Sequence, residues 1–381
     1  MIEVFEPIIG EEEIEAVVAA LRRGEISGSF GESIPRFEEE FAAYCGCKYG
    51  VAVSSGSTAL HVAVAAAGIG AGDEVLVSSS TNIATALAVI HNQAIPVPVD
   101  SESVTWNLDL DLIEDLITEK TKAIIPVHLY GHPVDMDRLM EIARRHNLLV
   151  IEDCAESHGA TCRGRMTGSF GDMACFSFYA NKVITTGEGG MVTTNNAELA
   201  ERLRLLRNLA FTKPRFRHEE AGFNFRMTGI QAAMGRAQFA KIEHILSEKR
   251  RVAHTYNEFL RDVDGLQLPH EAEWARNVYW MYAVVVQPEF GITRDQLMES
   301  LRAVEIDTRT FFCPMNQQPC LLSLPDFRAV PCPVADGLWD NGLYLPSTYS
   351  LSEDDIKQVA DAVKAAAQIE PNLGTVRTTS R

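Results

Sequence analysis

Basic residues are scarce in this chain. Lysine and arginine total 34 against 52 aspartates and glutamates, and the formal charge is -18. A surface that acidic repels nucleic acid and anionic membrane, so neither is an expected partner, and an anionic substrate would need a local basic patch. Cysteines are few: eight in 381 residues, scattered, with Cys45 and Cys47 as the only close pair. No second pair stands at zinc spacing, so no metal site and no disulfide framework is expected, and free thiols in a reducing cytoplasm are. No stretch reaches the roughly 18–20 apolar residues of a membrane helix. The start, Met1-Ile2-Glu3-Val4-Phe5-Glu6, lacks the basic and apolar regions of a signal peptide. Together these absences point to the cytoplasm. Internal repeats and low-complexity blocks are also missing.

What is present is the balance of a globular protein, 46% apolar and 23% charged. The length suggests about two domains. From about residue 57 to 195, helical and strand patterns alternate. Ser57 to Gly70 reads as a helix, Val75 to Val77 as a strand, Ala84 to His91 as a helix and Ile95 to Val99 as extended. Ala123 to Val127 is strand-like, Asp137 to His146 helical, and Leu148 to Ile151 a continuous apolar strand. Apolar runs separated by helices indicate parallel strands covered on both faces, hence an open α/β sheet. A long helical region is expected from about Ala197 to Leu260. Beyond it, a strand near Trp280 to Val286 and helices over Thr293 to Val304 and Ser352 to Ala367 suggest a smaller α+β domain. The expected division is a large domain over 1–245, a small one over 246–370 and a loose tail over 371–381.

Ligands of open α/β sheets sit at the carboxyl ends of the strands. Three features should fall there. Ser55-Gly56-Ser57-Thr58 opens a helix, where free N–H groups and the helix dipole favour an anion such as phosphate; an ordinary N-cap is the alternative. Asp153 follows the strand ending at Ile151. It is either a helix cap or a carboxylate that could keep a pyridine nitrogen protonated. Lys182 has apolar, hydroxyl and glycine neighbours and no other charge within five residues on either side. A partly buried lysine loses its proton more easily and can form an imine.

Their order and spacing resemble the fold-type I pyridoxal-phosphate enzymes. Within them, Asp153 to Gly159, the segment Phe176 to Gly190 and Gly222-Phe223-Asn224-Phe225-Arg226-Met227-Thr228 are similar to the DegT/DnrJ/EryC1/StrS family of sugar aminotransferases. The likeness spans nearly the whole chain, from Glu25-Ile26-Ser27-Gly28 to Thr308-Arg309 and Cys313-Pro314-Met315. Val127 to Gly131 and Ile184 to Met191 look most like its perosamine-forming branch.

The resemblance implies pyridoxal phosphate as cofactor, with pyridoxamine phosphate as its amino-carrying form. It implies that Lys182 holds the cofactor and shuttles a proton, that Asp153 pairs with the pyridine nitrogen, and that Glu156 lies near the ring hydroxyl. Ser57, Thr58 and Ser177 would hold the phosphate, and Asn224 would reach it from a neighbouring subunit of a homodimer or higher homo-oligomer. His128 and Arg309 would line the sugar-nucleotide pocket. Independently of the resemblance, a chain of charge -18 that binds a pyrophosphate needs a local basic group, and Arg215 and Arg217, in the basic segment Lys213 to His218, would supply it unless that segment is a solvated loop. Glutamate would be the amino donor. The expected acceptor is a nucleotide-linked 4-keto-6-deoxy sugar, GDP-4-keto-6-deoxymannose first, of the kind used for lipopolysaccharide O-antigen. A UDP- or dTDP-linked sugar, another keto carbon, and a non-catalytic cofactor-binding regulator are the alternatives. The chain also departs from the pattern. Thr81-Asn82 stands where an aromatic usually follows the threonine, Asn277 and Cys313 stand where the branch tends to have histidine, and Leu209-Ala210 replaces a usual His-Gly pair.

Overall fold

The computed structural model describes residues 1–28 and 30–368. The expected tail, 371–381, lies outside the described residues. A seven-stranded sheet organises the larger part of the fold. Its strands are β1 (Tyr49–Val53), β2 (Glu74–Ser78), β3 (Ile95–Val99), β4 (Thr121–Ile125), β5 (Leu149–Asp153), β8 (Met173–Ser177) and β9 (Gly190–Thr194). Between them in the chain, β6 (Thr161–Cys162) and β7 (Arg165–Met166) form a small sheet with β11 (Ala275–Arg276). The order in the large sheet is β1-β9-β8-β5-β4-β2-β3.

From β3 to β8 every pairing is parallel. These strands are almost wholly buried, as expected of a sheet covered on both faces. The expectation of parallel strands fails at one edge. No helix separates β8 from β9, so the chain returns antiparallel, and β9 pairs antiparallel with β1 as well. This places the carboxyl ends of β1 and β8 beside the amino end of β9, in register at Val53, Gly190 and Ser177.

The helices of this half are α1 (Glu11–Arg22), α2 (Ser33–Tyr44), α3 (Gly56–Ala66), α4 (Ala84–His91), α5 (Ile113–Leu116), α6 (Met136–His146), α7 (Ala197–Arg207) and α8 (Gly229–Phe239). α3 starts where it does because Ser55 and Thr58 cap it reciprocally. Ser55 Oγ accepts from the Thr58 amide at 3.1 Å, and Thr58 Oγ1 accepts from the Ser55 amide at 2.9 Å. The long helical region expected over 197–260 is three helices, α7, α8 and α9 (Ile242–Leu260), with residues 208–228 non-helical between the first two. Phe223 and Phe225 explain the break. At strand-like spacing, they stack on each other at 4.7 Å and pack on His61 of α3, which turns the intervening Asn224 outward.

The second sheet runs β10 (Leu266–Gln267), β12 (Tyr282–Val286), β14 (Gly342–Leu345) and β13 (Arg309–Thr310). With α9, α10 (Arg294–Ala303) and α13 (Glu353–Ala367) it encloses its own core, in which Tyr256 stacks on Tyr282 at 4.6 Å; α11 (Pro319–Leu322) and α12 (Pro333–Asn341) lie between α10 and α13 in the chain. The expected boundary between residues 245 and 246 falls inside α9, which runs unbroken. The N-terminal segment belongs to this second core too: Ile2 bridges to Ile306, and Ser347 N–H donates to the Val4 carbonyl. Among the described residues no helix is long and apolar enough to cross a membrane.

Candidate active site

The carboxyl ends of the central strands open into a cavity of about 440 Å³, a volume suited to a small ligand. Five segments of the large sheet line it: Ser55 to Ser57, Thr81 and Asn82, Val127, Asp153 to Glu156, and Ser177 to Lys182. Trp280, Phe312 and Tyr344 close it from the second sheet.

Asp153 is the last residue of β5 and is buried. One carboxylate oxygen accepts the Thr85 hydroxyl at 2.8 Å, and the other accepts the Ala155 amide at 3.1 Å. Turns rather than a helix follow it, so the capping alternative is excluded. Burial raises its pKa above the ordinary aspartate value; the bonds from Thr85 and Ala155 and the nearby Lys182 oppose the shift.

Lys182 sits in the turn after β8, its amide bonded to the Tyr179 carbonyl at 2.9 Å. Its Nζ lies 3.8 Å from the centre of the Trp280 ring. Desolvation pulls the amine below the usual lysine pKa, while the charges of Glu156 and Asp153 pull the other way. The sequence around Lys182 carries no charge, yet the fold supplies two carboxylates. Glu156 is fully buried and accepts the Tyr130 amide at 2.8 Å; burial raises its pKa.

At the other side of the cavity, the N-terminus of α3 presents Ser55, Gly56 and Ser57 toward Ser177. Gly56 is required there, since a Cβ would stand 2.6 Å from Ser177 Cβ. Thr81 Oγ1 and Asn181 Oδ1 are buried in the cavity wall with no hydrogen-bond partner among the described residues. Buried polar atoms are rarely left so, and these two are free to meet a polar ligand.

Several expected site residues lie elsewhere. Thr58 does not line the cavity, because its hydroxyl is engaged in the α3 cap. His128 does not either. It is fully buried, its Nδ1 accepts the Val134 amide at 3.0 Å, and its Nε2 therefore carries the proton and donates to Glu152 at 3.2 Å. Glu152 also accepts the amides of Gly168, Phe170 and Gly171, so the cluster of His128, Glu152 and Cys154 is a hydrogen-bonded support for β5 rather than a vacant ligand set. Asn224, Arg215 and Arg217 are exposed and outside the cavity. Arg309 pairs with Asp307 and lies across the strand pair from Tyr344, one residue removed from the wall. The Leu209-Ala210 pair holds positive φ at both positions (60° and 50°), a region a glycine occupies with less strain.

Residues 7–364 match the DegT/DnrJ/EryC1/StrS aminotransferase family. The chain belongs to that family. Among curated relatives, this aminotransferase is 47% identical over 339 residues to GDP-perosamine synthase of Caulobacter vibrioides, covering 88% of this chain and 90% of the relative. Among solved structures, DesV of S. venezuelae superposes with a TM-score of 0.87 at 38% identity, covering 94% of this chain and 95% of the other. A putative sugar aminotransferase of Streptococcus pneumoniae, solved in its PLP-form, superposes with a TM-score of 0.89 at 26% identity over 95% and 97% of the two chains.

Thr85, Asn181, Trp280, Phe312 and Tyr344 were not legible as site residues of this aminotransferase. Trp280, Phe312 and Tyr344 come from separate segments of the second sheet, and no spacing in the sequence links them to Lys182. Thr85 alone left a trace, as a hydroxyl in the first turn of an otherwise apolar helix.

Proposed function

We propose that this aminotransferase uses pyridoxal 5'-phosphate to move an amino group from glutamate onto a nucleotide-linked 4-keto-6-deoxy sugar. GDP-4-keto-6-deoxymannose is the substrate we assign and GDP-perosamine the product. The observation that carries the reading is the gathering of Lys182, Asp153 and the N-terminus of α3 in one cavity. The likeness to GDP-perosamine synthases of three bacteria supports the choice of sugar. The regulator alternative is disfavoured by the intact lysine and aspartate. We assign the enzyme to the cytoplasm and to supplying an amino sugar for a lipopolysaccharide O-antigen.

The residues present fit the cofactor: an amine of lowered pKa, a carboxylate at a strand end, a helix N-terminus for a phosphate, and two unpaired polar atoms in the wall. When bound, the cofactor takes up the electron pair released at the substrate carbon. Lys182 Nζ would hold it covalently and would move the proton at the substrate carbon. Asp153 would keep the ring nitrogen protonated. Ser57, Ser177 and the α3 amides would bind the phosphate. Trp280, Phe312 and Tyr344 exclude water. The assigned substrate is tested by incubating the protein with glutamate and GDP-, UDP- and dTDP-linked keto-sugars and measuring 2-oxoglutarate. We expect the GDP sugar to lead by roughly tenfold or more in kcat/KM. A lead for another nucleotide reassigns the substrate, and no turnover with bound cofactor returns the regulator reading.

We further propose that the site is shared between subunits. Asn224 is exposed and held outward by Phe223 and Phe225, as a residue reaching a neighbour would be. Asn224→Ala and Lys182→Ala should each impair turnover, and mixing them under subunit exchange should restore part of it. No recovery with exchange verified rejects sharing.

The exposed segment 213–218 is assigned the pyrophosphate. Arg215→Ala and Arg217→Ala should raise KM for the keto-sugar by about tenfold, the usual weight of a lost charged contact, and leave the glutamate half-reaction unchanged. Equal damage to both half-reactions removes the segment from the substrate site.

A further inference from the structure

Lys249, on α9, is a buried lysine beside this cavity that the mechanism does not use. Its side chain is 2% exposed. Its Nζ donates to the carbonyls of Trp280 at 2.8 Å and Ser347 at 2.9 Å. Among the described residues no carboxylate pairs with it, and burial pulls its pKa down to about 7. A buried amine with neutral partners is costly, and stability alone would be served as well by an apolar side chain of the same length.

What the lysine holds is informative. Trp280 lies just before β12, and Ser347 just after β14. Tyr282 N–H also donates to Ser347 Oγ at 2.8 Å, so these two strand ends are tied directly and through Lys249. Trp280 in turn reaches into the cavity. Its indole N–H donates to the Asn181 carbonyl at 2.6 Å, one residue before Lys182, and its ring covers Lys182 Nζ at 3.8 Å. Its own amide donates to the Tyr130 carbonyl at 2.9 Å, and the Tyr130 ring stands parallel to it at 6.2 Å. The backbone of Trp280 is thus fixed on one side by Lys249 and on the other by Tyr130, and its side chain fixes the Lys182 turn.

We propose that Lys249 is a positioning residue for Lys182, acting through Trp280. Lys249 anchors the Trp280 carbonyl, and Trp280 then holds the Lys182 turn by its N–H and screens the amine from water by its ring. The inference rests on Lys182 being the lysine that holds the cofactor. It explains how the second sheet controls a nucleophile borne by the first.

The test combines two variants with a readout independent of turnover. In cofactor-free protein, the pH dependence of Lys182 acylation by acetic anhydride, read by peptide mass, reports how well the amine is desolvated. Lys249→Met removes the anchor and keeps the volume. It should move the acylation midpoint up by about one unit, toward ordinary lysine, as water gains access. The glutamate half-reaction should slow by about tenfold with KM for glutamate nearly unchanged, the pattern of lost positioning rather than lost binding. Trp280→Phe keeps a ring and removes the indole donor, and should show a smaller shift in the same direction. If Lys249→Met fails to fold, Lys249→Gln, which keeps a donor for one of the two carbonyls, takes its place, with the same shifts expected at smaller size. Wild-type values for midpoint and rate in every folded variant overturn the proposal. Borohydride mapping of wild-type holoenzyme separates the two readings. A label on Lys182 with unchanged variants rejects only the positioning role, and a label on another lysine rejects the assignment of Lys182 and this inference with it.

Discussion

Lys182→Ala should fold normally and lose turnover by at least about 10⁴-fold, since it removes both a nucleophile and a general acid–base group. Folding should survive for a structural reason. The turn at 179–182 is closed by a backbone bond, from the Lys182 amide to the Tyr179 carbonyl, which alanine retains. Loss of the amine also removes a charge from a desolvated position. Two measurements check the claim: 2-oxoglutarate release from glutamate, and borohydride fixation followed by peptide mapping. Wild-type protein should carry the label at residue 182, and the variant should carry none. The mapping has a real competitor in Lys249, whose pKa is also lowered. That amine is engaged with the carbonyls of Trp280 and Ser347 and does not line the cavity, so a label there would contradict the geometry.

Asp153→Asn should fold, retain cofactor and turn over about 10²–10³-fold more slowly, the usual result of removing one preorganised electrostatic partner. Asparagine is nearly isosteric. Its amide oxygen can accept from Ala155, and its NH2 can meet the Thr85 hydroxyl, which rotates to accept. The two bonds now made at 2.8 and 3.1 Å are therefore replaceable. The melting temperature should change by no more than about 1–2 °C, the shift expected for about 1 kcal/mol in a chain of this size. What asparagine cannot do is hold a proton on a ring nitrogen. Near-normal turnover in a folded variant would show that the carboxylate charge has no electronic role.

Much of the fold was open to reading because local pattern and tertiary burial agree there. Ala84 to His91 and Ile95 to Val99 form the expected helix and strand with the same ends. One is an apolar strand of a sheet buried on two faces and the other an apolar helix packed against that sheet, where period and composition suffice. The reading failed where the chain departs from alternation. β8 and β9 flank the glycine-rich segment after Lys182 with no helix between them, and nothing in a strand's own sequence states its direction. Residues 208–228 interrupt the expected helical region because the stacking of Phe223 on Phe225 against His61 is a tertiary contact that helical periodicity does not register.

The sequence by itself determined the α/β class, the family likeness, and the choice of Lys182, Asp153 and the start of α3 as candidates for one site. These depend on residue type and on neighbours a few positions away. Only the tertiary structure decided which side chains share the cavity. It engaged Thr58 in a cap and His128 with Glu152, left Asn224 on the surface, and brought Thr85 to Asp153 and Trp280 to Lys182. The physical reason is distance along the chain. Lys182 and Trp280 are 98 residues apart, and their contact is set by how two sheets pack and which backbone groups remain to be hydrogen-bonded. A single sequence records each side chain but not the partner that burial assigns to it.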